Sequence, residues 1–127
     1  MGTGTQPDNP VSAQLPLIEA LQDPSLYHHA VTSLQLNETH ISWVILTGEY
    51  VYKLKKAVDF GFLDYSTLEK RAFFCREELR LNQRFAPHIY LDVIAISGSR
   101  SQPVLQGDGE PVEYAVRMKQ FSQAGLL

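Results

Sequence analysis

Between Ser66 and Pro87 the chain reads STLEKRAFFCREELRLNQRFAP, with a helix-start signature at one end, a helix stop at the other and no breaker between them. The S-T-L-E at Ser66 to Glu69 has the form of a capping box, in which the Ser66 hydroxyl and the Glu69 carboxylate reciprocally satisfy free backbone N–H groups. Pro87 has no N–H to donate and disfavours helical geometry at Ala86. One long helix is therefore expected, ending near Ala86. At about 100° per residue, Leu68, Ala72, Phe74, Cys75, Leu79, Leu81 and Phe85 fall in one broad arc, the expected buried face.

Strand patterns flank this helix on both sides. Before it lie VTSLQL (Val31 to Leu36), ISWVILT (Ile41 to Thr47) and YVYKLKKAV from Tyr50, separated by Asn37 to His40 and by Thr47-Gly48-Glu49. After it come IYLDVIAI (Ile89 to Ile96), PVLQ (Pro103 to Gln106) and VEYAVRMKQF (Val112 to Phe121), with glycine-containing turns between them. DFGFLD, Asp59 to Asp64, reads as a connecting loop, and Leu15 to Leu21 as a short helix ended by Asp23-Pro24. The order β-β-β-α-β-β-β gives an α+β domain over residues 15–127, an antiparallel sheet of five to six strands under one long helix, after a flexible tail at 1–14. A length of 127 residues with 44% hydrophobic content suits one soluble domain.

Charge and cysteine usage exclude several functions. A net charge of -3 disfavours nucleic-acid and anionic-membrane partners. No apolar run reaches the roughly 18–20 residues of a membrane helix, and no secretion signal opens the chain. The lone Cys75 has no disulfide partner, so a reducing cytoplasm is the expected compartment. His28, His29, His40 and His88 do not form a metal spacing, and no metal ligands are expected.

Glu78 lies near the middle of the apolar arc, whereas Glu77 falls on the solvated side near Phe73 and Arg80. A buried carboxylate without a partner costs several kcal/mol or takes up a proton, so Glu78 calls for a nearby cation. In YVYKLKK, alternation puts Val51, Lys53 and Lys55 on one strand face and Tyr50, Tyr52, Leu54 and Lys56 on the other. Lys53 is the expected partner, with Lys55 as the runner-up on the same face. The competing interpretation places Glu78 at the edge of the stripe and the lysines on a solvated strand.

A strand lysine paired with an acid of the following helix resembles the amino-terminal lobe of protein kinases. More specifically, THISWVILTGEYVYKLKKAVDFGFLDYSTLEKRAFFCREELRLNQRFAPHIYLDV is similar to the amino-terminal part of the aminoglycoside-phosphotransferase-like family of bacterial proteins, some of which also carry a P-loop kinase domain. The resemblance implies that Lys53, in V-Y-K, meets the α- and β-phosphates of ATP and that Glu78 orients it. It places the turn from Asn37 to Ser42 over the phosphates, with Thr39 and Ser42 as candidate contacts, although no G-x-G-x-x-G is present. Val44 and Val51 would face the adenine ring, Met118 would border its pocket, and backbone groups of Lys119, Gln120 and Phe121 would bond its edge.

The family's catalytic aspartate and its Mg²⁺ ligands belong to a carboxy-terminal lobe after the hinge. This chain stops at the position of that hinge, and the DFG at Asp59 to Gly61 precedes the helix, in the wrong place for the metal motif. The expectation is therefore an ATP-positioning half of a small-molecule kinase. It has no catalytic residue of its own, and Mg²⁺ is held by the other lobe. The alternative is a stand-alone binding, regulatory or structural module with the same fold. The expected partners are the nucleotide, the absent lobe and, through the exposed sheet, a second copy by dimerisation or strand exchange.

Overall fold

A computed structural model of the protein describes residues 10–120. Two α-helices, α1 (Pro10–Ala20) and α2 (Leu68–Gln83), accompany six strands: β1 (Gln35–Glu38), β2 (Ser42–Leu46), β3 (Tyr50–Lys55), β4 (Tyr90–Gly98), β5 (Pro103–Leu105) and β6 (Glu113–Lys119). All six form one antiparallel sheet in the order β1-β2-β3-β6-β4-β5. The connection from β5 inserts β6 between β3 and β4, so the strands before and after α2 are joined through the last of the described strands. Among the described residues no helix is long and apolar enough to cross a membrane.

The two sheet faces bury different chemistry. On one face Trp43, Ile45, Tyr52, Leu54, Ile94, Ile96 and Ala115 pack against Leu17, Ile18 and Leu21 of α1 and against Tyr27, forming the apolar core. The spacing 14, 17, 18, 21 is one helical stripe, and its first member is Gln14, only 1% exposed. The other face carries Val44, Lys53 and Val116 in one cross-strand row and receives α2, which packs on β4 and β6.

Gln14 fills a gap in the sheet. Pairing of β3 with β6 ends at Lys53 opposite Val116, so Lys55 and Glu113 lie beyond the ladder. Into this opening Gln14 Nε2 donates to the Lys55 carbonyl (3.1 Å) and to Glu113 Oε2 (2.8 Å), while its Oε1 accepts from the Ala57 N–H (2.8 Å). From α2, Arg71 Nε donates to Glu113 Oε1 at 2.9 Å and its Nη1 donates to the Tyr65 carbonyl at 2.9 Å. Every buried polar group at the junction thus has a partner, which low-dielectric burial demands.

Several expected boundaries shift for local reasons. Helix α1 begins at Pro10, inside the stretch expected to be a tail, and residues 1–9 lie outside the described part. The first strand is Gln35–Glu38 rather than Val31 to Leu36. Val31 and Leu34 pack on the core from irregular backbone instead. The N-cap of α2 is Thr67, whose hydroxyl accepts from the Lys70 N–H (3.1 Å). The expected capping box does not form: Thr67 takes the cap position, and the Ser66 N–H that Glu69 was to satisfy donates to Asp64 (2.9 Å), as does the Ser66 hydroxyl (2.6 Å), while Lys70 pairs with the same carboxylate. Helix α2 ends at Gln83, three residues before Ala86.

The largest departure concerns the buried face of α2. Ala72 and Cys75 are buried and Leu68 and Leu79 half-buried, but Phe74, Leu81 and Phe85 are exposed and Arg71 is buried in their stead. The sheet underlies only part of the apolar arc, so the outer part faces away from it.

The Thr47-Gly48-Glu49 turn forms as expected. Gly48 has φ 101°, and a Cβ there would lie 1.9 Å from Thr32 Oγ1, so both conformation and space require glycine.

The junction makes a stability prediction. Gln14→Leu keeps the bulk but leaves the Lys55 carbonyl, the Ala57 N–H and one Glu113 oxygen without their partner, and should lower the unfolding free energy by about 3 kcal/mol. Urea denaturation checks this, and a loss under about 1 kcal/mol would mean that the amide does not bridge the gap.

Candidate functional site

The alternation of β3 delivers two ammonium groups to one carboxylate. Glu78 Oε2 accepts from Lys53 Nζ at 3.1 Å and Glu78 Oε1 from Lys55 Nζ at 2.7 Å. The expected pair is present, and the runner-up lysine belongs to it as well. The interpretation in which the lysines decorate a solvated strand does not hold. Lys56, on the opposite face, is also engaged. Its Nζ lies 5.3 Å from the Trp43 ring centre and 2.5 Å from Glu38 Oε2. Glu77 points outward and pairs with Arg80 (2.7 Å).

The two lysines at Glu78 sit in different surroundings. The Lys55 side chain is 6% exposed, with its ammonium 4.9 Å from the Tyr65 ring centre, whereas that of Lys53 is 30% exposed. Burial by itself pushes the Glu78 carboxyl up, but the hydrogen bond and charge of Lys55, joined by those of Lys53, hold it below its ordinary value. For Lys55, burial likewise opposes the charge, and Glu78 more than reverses this and raises the ammonium. Cys75, fully buried beside them, is pushed up to about 12 by burial and remains a neutral thiol.

Lys53 opens onto a cavity of about 680 Å³ lined by Thr39, His40, Ile41, Ser42, Val44, Lys53, Tyr90 and Met118. Strand register explains the convergence. Val44 stands opposite Lys53, and Met118 stands opposite both Val51 and Tyr90, all on the face that carries Lys53. Five residues singled out from the sequence, Thr39, Ser42, Val44, Lys53 and Met118, share this wall. Val51 is half-buried in the Met118 row and is not among the lining residues. His40, Ile41 and Tyr90 complete the wall. Tyr90 was legible only as a strand residue, because its placement follows from β6 entering the sheet next to β4.

The turn above the cavity is organised by Thr39. Its Oγ1 accepts from the N–H groups of Ile41 (3.2 Å) and Ser42 (3.0 Å) and lies 3.0 Å from Ser42 Oγ. These donors serve the turn. At the far end, the Lys119 N–H donates to the Ile89 carbonyl (2.8 Å) and the Gln120 N–H to the Glu49 carbonyl (3.0 Å), while Gln120 Oε1 accepts from the Gly48 N–H (2.9 Å). Sheet closure thus engages these two N–H groups. Phe121 lies outside the described residues. Among the described residues no three acidic, histidine or cysteine side chains converge as metal ligands.

The Glu78 cluster couples stability to pH. The Glu78 pKa is below its ordinary 4.5 in the folded chain, so its contribution is present above about pH 4.5 and is lost as pH falls through the folded value. Glu78→Gln, which strands the buried Lys55 ammonium, should cost about 3 kcal/mol at neutral pH. The difference from the unaltered chain should shrink as the pH drops below 4.5. Unfolding measured across that range decides this, and a pH-independent difference would refute the linkage.

Comparison with known proteins gives few relatives. No protein-family model matches the chain, and no solved structure matches it. Uncharacterized proteins of Mycobacterium tuberculosis and Mycobacterium bovis are 36% identical to it over 83 residues, which cover 61% of this chain and 17% of theirs. The matched stretch thus spans less than a fifth of the length of these relatives.

Proposed function

We propose that this chain is the nucleotide-positioning half of a phosphotransferase with a protein-kinase-like amino-terminal lobe, of the aminoglycoside-phosphotransferase-like kind that its sequence resembles. The observation that carries this reading is the Glu78 carboxylate aiming Lys53 at the wall of a cavity built on the sheet face. An ammonium positioned in this way offers a positive charge to phosphate oxygens at the cavity wall. The volume of about 680 Å³ lies within the roughly 300–1,000 Å³ of small-molecule sites. Val44, Met118 and the Tyr90 ring supply apolar surface for a base, and Lys53 supplies the charge for its phosphates.

The described residues provide binding and orientation. The acceptor-activating aspartate and the Mg²⁺ ligands of such an enzyme have no counterpart among them and are assigned to a following lobe. A second reading, a binding or interaction module with this fold, draws support from one observation: the N–H groups of Ile41, Ser42, Lys119 and Gln120 are all engaged within the protein.

Titration calorimetry with a non-hydrolysable ATP analogue separates the two readings. Saturable binding is expected, weakened about ten- to a hundredfold in Lys53→Met, the equivalent of one charge-assisted contact. Equal affinity in the variant, or no binding by the unaltered chain, would remove the nucleotide reading and leave the module.

A further inference from the structure

The cluster at Glu78 holds two ammonium groups and one carboxylate, and so carries one uncompensated positive charge. Geometry says where that charge resides. Lys55 makes the shorter contact, 2.7 Å against 3.1 Å, is nearly excluded from solvent and rests beside the Tyr65 ring. It does not line the cavity. Lys53 is five times as exposed, at 30% against 6%, and among the described residues it is the one lysine or arginine on a cavity wall to which they contribute no acid. A carboxylate whose two oxygens serve separate cations can release one without becoming an unpaired buried charge, provided the other is fixed.

We propose that Lys55 is a positioning residue, the permanent counter-ion of Glu78, whose role is to leave Lys53 with its charge unspent so that it can turn from the carboxylate to an anionic phosphate chain in the cavity. This inference rests on the nucleotide reading and adds to it a division of labour between the two lysines. With a single lysine, Glu78 and its cation would sum to zero, and a phosphate ligand would have to compete with the carboxylate for the ammonium. The second lysine removes this competition. Lys55 touches no ligand and acts through Glu78.

Charge balance can be tested separately from structural support. ATP and adenosine are titrated into the unaltered chain, Lys55→Met, and the double variant Lys55→Met/Glu78→Gln. The readout is the preference for ATP over adenosine. In Lys55→Met the preference should fall about tenfold, because Lys53 is then the sole partner of Glu78. In the double variant, which restores one net positive charge on Lys53, it should return to within about threefold of the original value. A merely structural role for Lys55 predicts that the second substitution deepens the damage. An unchanged preference in Lys55→Met, or no recovery in the double variant, overturns the division of labour while ATP binding by the unaltered chain leaves the nucleotide reading in place. Failure of the unaltered chain to prefer ATP overturns both. Adenosine affinity and circular dichroism, measured on all three proteins, identify a variant that has lost its fold. In that event Lys55→Gln takes its place with the same expectations.

Discussion

Two desolvated carboxylates, Glu78 and Glu113, fix how helix α2 lies on the sheet. The helix has little apolar surface with which to do so. Of its sixteen residues only Arg71, Ala72 and Cys75 are buried, and the two apolar ones are small. Hydrophobic burial scales with area, so such a contact region holds a helix weakly and does not specify its rotation. A carboxylate out of water is more demanding. Glu78 must find cations below it, and Arg71 must find an acid, so the helix can adopt only the rotation that places both over their partners. The three-way bridge through Gln14 ties the same junction to α1 on the far side of the sheet.

This dependence explains what could be seen in the sequence. Strand alternation and turn residues predict five of the strands and the Gly48 turn because these are local properties of the backbone. Glu78 was found by asking what an acid does in an apolar stripe, and Lys53 by asking which side chain could answer it. The same question put to Arg71, which lies between Leu68 and Cys75 on that stripe, would have required a buried acid and pointed to Glu113. Gln14 likewise stands in the stripe of Leu17, Ile18 and Leu21. Its partners could not be anticipated, because they belong to a gap that exists only once β6 has entered beside β3. The sequence order of the strands does not announce that insertion.

The exposed part of α2 shows the limit of periodicity in another way. A helical arc records which side chains could share a surface. It does not record how wide that surface is. Phe73 and Phe74 pack edge to face at 5.1 Å and Phe74 tilts against Tyr65 at 5.3 Å, so these rings cover one another in place of a sheet. Leu81 and Phe85 follow the same line beyond the sheet's reach. The capping box failed for a comparable reason. Asp64 accepts the Ser66 N–H that Glu69 was to satisfy, and Thr67, one residue later, took the cap. Where two local solutions satisfy the same backbone groups, the one that also ties down the preceding loop prevails.

The two ionic clusters differ in a way that separates architecture from site. Arg71 and Glu113 sum to zero charge, and their side chains are 5% and 1% exposed. The guanidinium donates to Glu113 and the Tyr65 carbonyl, and the carboxylate takes Gln14 as well, so both groups are engaged within the protein and shut away from solvent. The lysine cluster has a surplus ammonium, and the more exposed of its two lysines stands at the cavity wall. An ammonium on a flexible stem can change partners without moving the backbone more readily than a planar guanidinium buried between two acceptors. In the proposed division of labour, two lysines at alternate positions of one strand separate what a single arginine would combine: one holds the helix, and the other keeps its charge for what enters the cavity.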